Sequence, residues 1–397
     1  MSLPAEFLVF GATLAGVALF HRQALPIAAT GLVAVIAFKW LGPGFAAGPG
    51  LEGLAAHFAH EWVILANLFL LLVGFALLAA HFEESGLPQE FPAWLPDDWT
   101  GAFALLAIVF VVSGFLDNIA AALIGGAMAH TLFRGRVRVG YLVAIVAASN
   151  AGGAGSVIGD TTTTMMWISG VPPIDVLHAY VASGVALFVF GIPAARAQQR
   201  FAPIIKDADS SLAIDWARVA IVGIILVSAI VVNVGVNAKH PGVAGRFPFI
   251  GTAVALAIAL TAPWRRPDWS VLPGAVKGSI FLLCLVASAS LMPVESLPAP
   301  SWQSALALGF VSSFFDNIPL TALALNQGGY DWDVLAYAVG FGGSMLWFGS
   351  SAGVAICNMF PDARSTGRWL REGWPVAVAY VAGFAALLAT LGWKPGG

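Results

Sequence analysis

Two short stretches of this chain are near-copies of each other, and both carry an acid. Residues 113–119 read SGFLDNI and residues 312–318 read SSFFDNI, so an Asp-Asn pair occurs at 117–118 and again at 316–317. Each pair lies inside a long apolar stretch, where an ionisable side chain costs roughly 2.5 kcal/mol or more and is a functional hypothesis by default. Their oxygens are the hard ligands that cations prefer, so the repeated pair predicts ion binding. Capping of a helix N-terminus by the aspartate is the alternative, and the two roles can coexist.

A second polar segment, 149–164, reads SNAGGAGSVIGDTTTT. Its small residues allow the backbone to unwind and approach a ligand closely. Asn150, Ser156, Asp160 and the threonines offer oxygens and no cationic nitrogen, which favours Na⁺ or Li⁺ over an anion. Packing of small residues between helices is the alternative, but it explains the glycines and not the acid. In the corresponding segment of the second half, Ser350 stands where Asp160 stands in the first.

Asp117, Asp160 and Asp316 are therefore expected to form the core of one site. Carboxylates that lie close together in a low dielectric repel each other. We expect at least one of the three to hold a proton and to release it when Na⁺ arrives.

The composition indicates a polytopic membrane protein. Of the 397 residues, 59% are hydrophobic and only 10% are charged, with a mean hydropathy of +0.86, whereas soluble domains carry about 25% charged residues. The net charge of −3 gives no indication of a nucleic-acid partner. No basic region precedes the first apolar stretch, which predicts a permanent first helix rather than a cleaved signal.

Apolar stretches of roughly 20 residues are candidate membrane spans. They lie at about 5–20, 24–41, 60–81, 174–195, 214–237, 247–263, 273–292 and 374–393. Two further regions in each half are apolar but interrupted by polar residues, Gly or Pro. One pair, 101–132 and 302–327, predicts re-entrant hairpins; the other pair, 139–168 and 331–358, predicts broken helices.

The arginines test this arrangement. If the hairpin at 101–132 enters and leaves the membrane on one side and the hairpin at 302–327 does so on the other side, most basic residues fall on a single face, as the positive-inside rule requires. Those residues are Arg22, Arg134, Arg136, Arg138, Arg196, Arg200, Lys206, Arg218, Arg265, Arg266, Lys277, Arg364, Arg368 and Arg371. The other face then holds only Lys39, Lys239, Arg246 and Lys394. The charge pattern therefore predicts ten spans, two opposed hairpins and both termini outside.

The expected fold class is an all-α polytopic membrane protein built from two inverted repeats. Each repeat has five transmembrane helices plus one re-entrant hairpin, with broken helices. The first repeat is predicted at 1–196 and the second at 214–397, joined by a cytoplasmic linker at 197–213. Transporters are often built from such repeats.

The segment Ser149–Trp167 resembles the signature of the NhaD-type Na⁺/H⁺ antiporters. These belong to an ion transporter superfamily that also holds arsenite and dicarboxylate carriers. The resemblance is specific in 113–125, 149–167, 312–324 and 340–352. It implies a scaffold domain, a transport domain with two hairpins and two broken helices, and a homodimer in a bacterial inner membrane. The cation ligands that it implies are Asp117, Asn118, Asn150, Asp160, Thr162 and Thr163 in the first repeat, and Asp316, Asn317, Ser344 and Ser351 in the second.

The favoured function is that of a secondary antiporter, not an enzyme, that exchanges Na⁺ or Li⁺ for H⁺ by alternating access and needs no cofactor. An anion or metalloid carrier of the same superfamily is the alternative, although it would need a neutral or cationic site. An intramembrane aspartyl protease is less favoured, because Val157 occupies the first glycine position of the GxGD motif. A channel is a further alternative, against which the inverted repeat argues.

Overall fold

A computed structural model describes residues 4–396 apart from 21–22, 206–212, 237–242 and 244. Within these residues the regular structure is helical, without a β-strand, which confirms the all-α class. Six helices in the same part of the chain are long and apolar enough to span a membrane. They are Ala24–Leu41, Gly50–Glu84, Ile174–Phe201, Trp216–Val234, Trp269–Ser290 and Thr366–Leu391.

The first half of the chain forms ten α-helices in its described part. They are α1 (Ala5–Leu19), α2 (Ala24–Leu41), α3 (Gly50–Glu84), α4 (Leu87–Trp94), α5 (Trp99–Ser113), α6 (Asn118–Leu132), α7 (Val139–Ala154), α8 (Thr161–Ile168), α9 (Ile174–Leu177) and α10 (Ala179–Phe201).

The described part of the second half continues with eight α-helices and four short 3-10 helices, and the α-helices are given next. They are α11 (Trp216–Val234), α12 (Phe249–Thr261), α13 (Leu272–Ser290), α14 (Trp302–Ser312), α15 (Asn317–Gln327), α16 (Trp332–Gly342), α17 (Ser351–Met359) and α18 (Thr366–Leu391).

Two helices begin earlier than hydropathy predicts. α3 begins at Gly50 rather than near residue 60, and α18 begins at Thr366 rather than near 374. The added turns of α18 contain Arg368, Arg371 and Glu372, and those of α3 contain Glu52, His57 and two glycines, so an apolar window leaves them out. In α18 the Ser365 side chain accepts a hydrogen bond from the Arg368 amide and caps the early start.

The helices pack as two groups. One group contains α1, α2, α3, α11, α12 and α13, and the other contains α5 to α8, α10 and α14 to α18. Contacts of α13 with α15 and of α3 with α8 join the two groups. α7 and α16 are buried on all sides, which explains why both are apolar around their whole circumference.

The two regions predicted as hairpins, 101–132 and 302–327, are helix pairs whose two ends lie together. The guanidinium of Arg196, near the end of α10, stacks 4.5 Å from the Trp99 ring at the start of α5. The amide of Ile205, just beyond α10, donates to the carbonyl of Leu132 at the end of α6 (3.0 Å). In the second pair, the Gln327 side chain at the end of α15 donates to the Pro298 carbonyl, four residues before α14 (2.7 Å).

Both halves pack the helix pair onto the broken helix in the same way. The Ser113 hydroxyl donates to the Ser149 carbonyl (2.6 Å), and the Ser312 hydroxyl donates to the Val339 carbonyl (2.8 Å). A Cβ at Gly152 would lie 2.0 Å from the carbonyl oxygen of Phe110, and one at Gly342 would lie 2.2 Å from that of Gly309. Only glycine permits these two close approaches.

An ionic network joins the end of α3 to the start of α11. Arg218 contacts Glu84 at 2.6 Å, and Arg265 contacts Asp215 at 2.7 Å. The hydrogen bond from Arg265 holds the pKa of Asp215 below its usual range. Most of the predicted linker 197–213 follows α10, and its residues 206–212 lie outside the described residues, as do Arg22 and Lys239.

Candidate cation site

Each helix that resumes after an interruption begins at a capping residue. Asp117, Asp160, Asp316 and Ser350 occupy the N-cap positions of α6, α8, α15 and α17. Asp160 accepts a hydrogen bond from the Thr162 amide (3.2 Å), and Asp316 accepts one from the Ile318 amide (3.1 Å). The capping role is therefore present at these two acids. Each of these two carboxylates keeps further oxygen lone pairs that can coordinate a cation.

A cavity of about 520 Å³ lies between the two groups of helices. α3 and α13 form one wall, and the starts of α6, α8, α15 and α17 form the other. Its polar lining consists of Glu83, Asp117, Asn118, Asp160, Thr161, Thr164, Ser279, Asn317 and Ser351. Three of these residues are acids, and none of the described lining residues is Lys, Arg or His. The cavity therefore has a negative potential that attracts cations.

Asp160 joins the two halves of the molecule at this cavity. Its side chain is nearly inaccessible, with a residue exposure of 2%. The Asn317 amide of the second half donates to both carboxylate oxygens, at 3.3 and 3.5 Å. These hydrogen bonds join α15 of the second half to α8 of the first half. A shift of one of these two helices against the other would change the ligands around Asp160.

Asn150 lies behind the cavity in a buried polar network. Its Oδ1 accepts from the Asn118 amide (3.1 Å), and its Nδ2 donates to the hydroxyls of Ser344 (2.9 Å) and Ser350 (3.1 Å). Asn150 and Ser344 are fully buried. Because this network connects both broken helices, it fixes Asn118, which does line the cavity.

Asp316 lies on a different surface from the other two acids. It lines a second cavity of about 160 Å³, together with residues of α1 and α13. Ser351 lines both cavities and donates a hydrogen bond to the Asp316 Oδ2 (3.1 Å). The structure thus brings Asp117 and Asp160 to one cavity, whereas Asp316 adjoins that cavity through Ser351 and through its chain neighbours Asn317 and Ile318, which line it.

The threonines divide into two pairs along α8. Thr161 and Thr164 line the cavity, since residues three apart share a helix face. The hydroxyl of Thr163 donates to the Asp160 carbonyl (2.9 Å), and that of Thr162 is buried without a hydrogen-bond partner among the described residues. The roles of Thr162 and Thr163 as ligands stay predictions. Helical spacing from the Asp160 cap would have indicated Thr161 and Thr164.

Glu83 is the one acidic residue of the described lining that the sequence motifs do not identify. At the end of α3 it resembles an ordinary solvated acid, and it is indeed exposed. It nevertheless lies on the wall of the cavity that contains Asp117 and Asp160. Only the packing of α3 against α8 and α13 gives it this position.

Comparison with known proteins supports the resemblance that the motifs indicate. The chain is 28% identical over 324 residues to Sodium/proton antiporter 1 of Arabidopsis thaliana, covering 71% of this chain and about half (54%) of that protein. It is 25% identical over 383 residues to the Na⁺/H⁺ antiporter NhaD of Alkalimonas amylolytica, covering 84% and 79% of the two chains. It is 27% identical over 352 residues to NhaD of Vibrio cholerae serotype O1, covering 75% and 72%. No protein-family model matches the chain. The predicted resemblance to the NhaD-type Na⁺/H⁺ antiporters is thereby confirmed, and the six long apolar helices of the described residues are those of a multi-pass membrane protein.

Proposed function

We propose that this protein is a secondary active antiporter that exchanges Na⁺ or Li⁺ for H⁺. The observation that carries the proposal is the cavity of about 520 Å³ that contains Glu83, Asp117 and Asp160 and is lined by no basic residue in the described chain. Such a lining attracts cations and disfavours the anion or metalloid carrier considered above. Relatives that cover most of this chain carry the name Na⁺/H⁺ antiporter.

In the proposed mechanism, Asp117 and Asp160 bind either a cation or a proton. Na⁺ and Li⁺ take oxygen ligands, and the cavity offers carboxylate, hydroxyl and amide oxygens within one small volume. Because Asp160 is almost completely buried, its charge is costly unless a cation or proton neutralises it. Entry of Na⁺ therefore favours release of a proton, and protonation favours release of Na⁺.

Each ion must reach the site from one side at a time if transport is to be coupled. We infer that the group containing α5 to α8, α10 and α14 to α18 moves against the group containing α1 to α3 and α11 to α13. The cavity lies between these two groups, so their relative movement would open it to alternate sides. The Asn317–Asp160 contact lies within the moving group and would be carried with it.

The finer architecture is also a proposal. We infer that the pairs α5–α6 and α14–α15 are re-entrant, because the two ends of each pair lie together. The matching contacts in the two halves support inverted repeats at 1–196 and 214–397. The distribution of arginines supports a cytoplasmic linker and outward-facing termini. A homodimer in a bacterial inner membrane is what the resemblance implies.

The proposal is tested by reconstituting the protein in liposomes that contain a pH-sensitive dye. An outward-directed Na⁺ or Li⁺ gradient should acidify the lumen, and K⁺ or choline at equal concentration should not. Sulfate, phosphate and arsenite gradients serve as arms for the anion alternative. Dye signals that follow an anion gradient and ignore Na⁺ and Li⁺ would overturn the proposed function.

A further inference from the structure

A further polar cavity, separate from both cavities described above, lies at the arginine-rich end of the molecule. It has a volume of about 400 Å³ and lies where the start of α7, the last turns of α10 and the start of α18 meet. Small residues and proline rings on the facing helices, including Ala194, Ala197, Pro193 and Pro375, leave this space open. Its volume is within the range of about 300–1,000 Å³ that is common for ligand sites.

The charged residues of this cavity leave an excess of positive charge. Glu372 accepts a hydrogen bond from the Gly140 amide (3.3 Å) and contacts Arg138 at 3.5 Å and Arg368 at 3.6 Å. One carboxylate is therefore shared by two arginines. Arg371 also lines the cavity, is exposed, and has no acidic partner among the described residues.

The cavity is at the level where a membrane meets water. Arg138 is the N-cap of α7, and Trp374 lies just inside α18 with 62% of its surface exposed, as is typical of an interfacial tryptophan. Towards the middle of the span, α18 exposes Val378 and Val381. α10 exposes Phe188 and Val185 along the same part of its length. A lipid whose headgroup lies in the cavity would find apolar surface for its acyl chains.

We propose that this cavity, which we call the Arg138–Arg371 site, binds the headgroup phosphate of an anionic phospholipid. Arg371 supplies the uncompensated charge, Arg138 is the second guanidinium, and Trp374 contacts the region below the phosphate. Basic cavities between spans at the cytoplasmic surface are suited to anionic headgroups. The inference depends on the protein being in a membrane and not on the proposed ion exchange.

The test is a titration of the detergent-solubilised protein with phosphatidylglycerol, followed by native mass spectrometry. Phosphatidylcholine with the same acyl chains and inorganic phosphate are the comparison arms. Loss of one surface arginine reduces affinity for an anionic lipid about fivefold, so Arg371→Gln should show a loss of that order. Arg266→Gln is the matched control, because Arg266 is an exposed arginine that does not line the cavity.

A second variant moves the affinity in the opposite direction. Glu372→Gln removes the carboxylate that now neutralises Arg138 and Arg368, so phosphatidylglycerol should bind more tightly. If the cavity had only a structural role, Arg371→Gln and Glu372→Gln would not change the affinity for phosphatidylglycerol in opposite directions. Equal binding of phosphatidylcholine, equal losses in Arg371→Gln and Arg266→Gln, or full occupancy by inorganic phosphate alone would each overturn the proposal. None of these outcomes bears on Na⁺-driven proton movement, which is measured separately in liposomes.

Discussion

At the scale of single residues, Asp160 is the acid on which exchange should depend most. It is 2% exposed, caps α8 and accepts from Asn317. In the second half Ser350 takes the equivalent cap position, so no symmetric acid can replace it. Asp160→Asn keeps the size and the cap, and should abolish Na⁺- and Li⁺-driven proton flux in liposomes. The thermal unfolding midpoint, measured alongside, should stay close to that of the unchanged protein. Near-normal exchange would contradict the assignment.

The other two aspartates should not contribute equally. Asp117 lines the same cavity as Asp160, whereas Asp316 lines the smaller cavity and only its neighbours, such as Ser351, line the larger one. Asp117→Asn should therefore raise the Na⁺ concentration for half-maximal exchange more than Asp316→Asn does. Both acids occupy the N-cap position of equivalent helices, but only the Asp316 side chain accepts a cap hydrogen bond, so the unfolding midpoint of each variant is measured alongside. A larger effect of Asp316→Asn on the apparent Na⁺ affinity would place the cation site in the second half.

At the scale of helices, the packing of the helix pair on the broken helix should not tolerate a single methyl group. In Gly152→Ala the new Cβ would approach the backbone oxygen of Phe110 to 2.0 Å, so the backbone must shift. Overpacking of this kind costs roughly 1–3 kcal/mol, and the unfolding midpoint should fall. Gly342→Ala should behave alike, since the approach to Gly309 is 2.2 Å. Gly184→Ala in α10 is the control, because its Cβ meets open space. Equal midpoints for Gly152→Ala and Gly184→Ala would refute the close approach.

Helix positions were largely predictable from the sequence, and the lining of the site was predictable only in part. Interruptions at 114–117 and 155–160 follow from local polar and small residues, and the structure has them there. Asp117 and Asp160 could be recognised as site residues, because an ionisable side chain in an apolar stretch is costly and indicates a function. The place of Glu83 on the cavity, and the separation of Asp316 from it, depend on how distant helices pack. No local pattern contains that information.

At the scale of the whole molecule, the proposed transport depends on both helix pairs being re-entrant from opposite sides. Arg136, which follows α6, is exposed, and its side chain contacts the Phe201 carbonyl at the end of α10. Ser301 is the N-cap of α14, next to the end of α15. With Cys284 and Cys357 replaced by alanine, a cysteine at Arg136 should react with an impermeant thiol reagent only from the cytoplasm. A cysteine at Ser301 should react only from outside.

The labelling experiment separates the inverted arrangement from a simple alternative. If α5 and α6 together crossed the membrane once, Arg136 would lie outside with Arg134 and Arg138, against the positive-inside rule. The variant at Arg136 should keep ion exchange, since this residue is remote from the cavity that contains Asp160, so activity confirms that the labelled protein is folded. Reaction of the Arg136→Cys variant with external reagent in intact cells would rule out opposed re-entrant pairs. The starts of α6 and α15 would then approach the site from the same side. The proposed opening of the cavity to alternate sides would no longer follow from two inverted repeats.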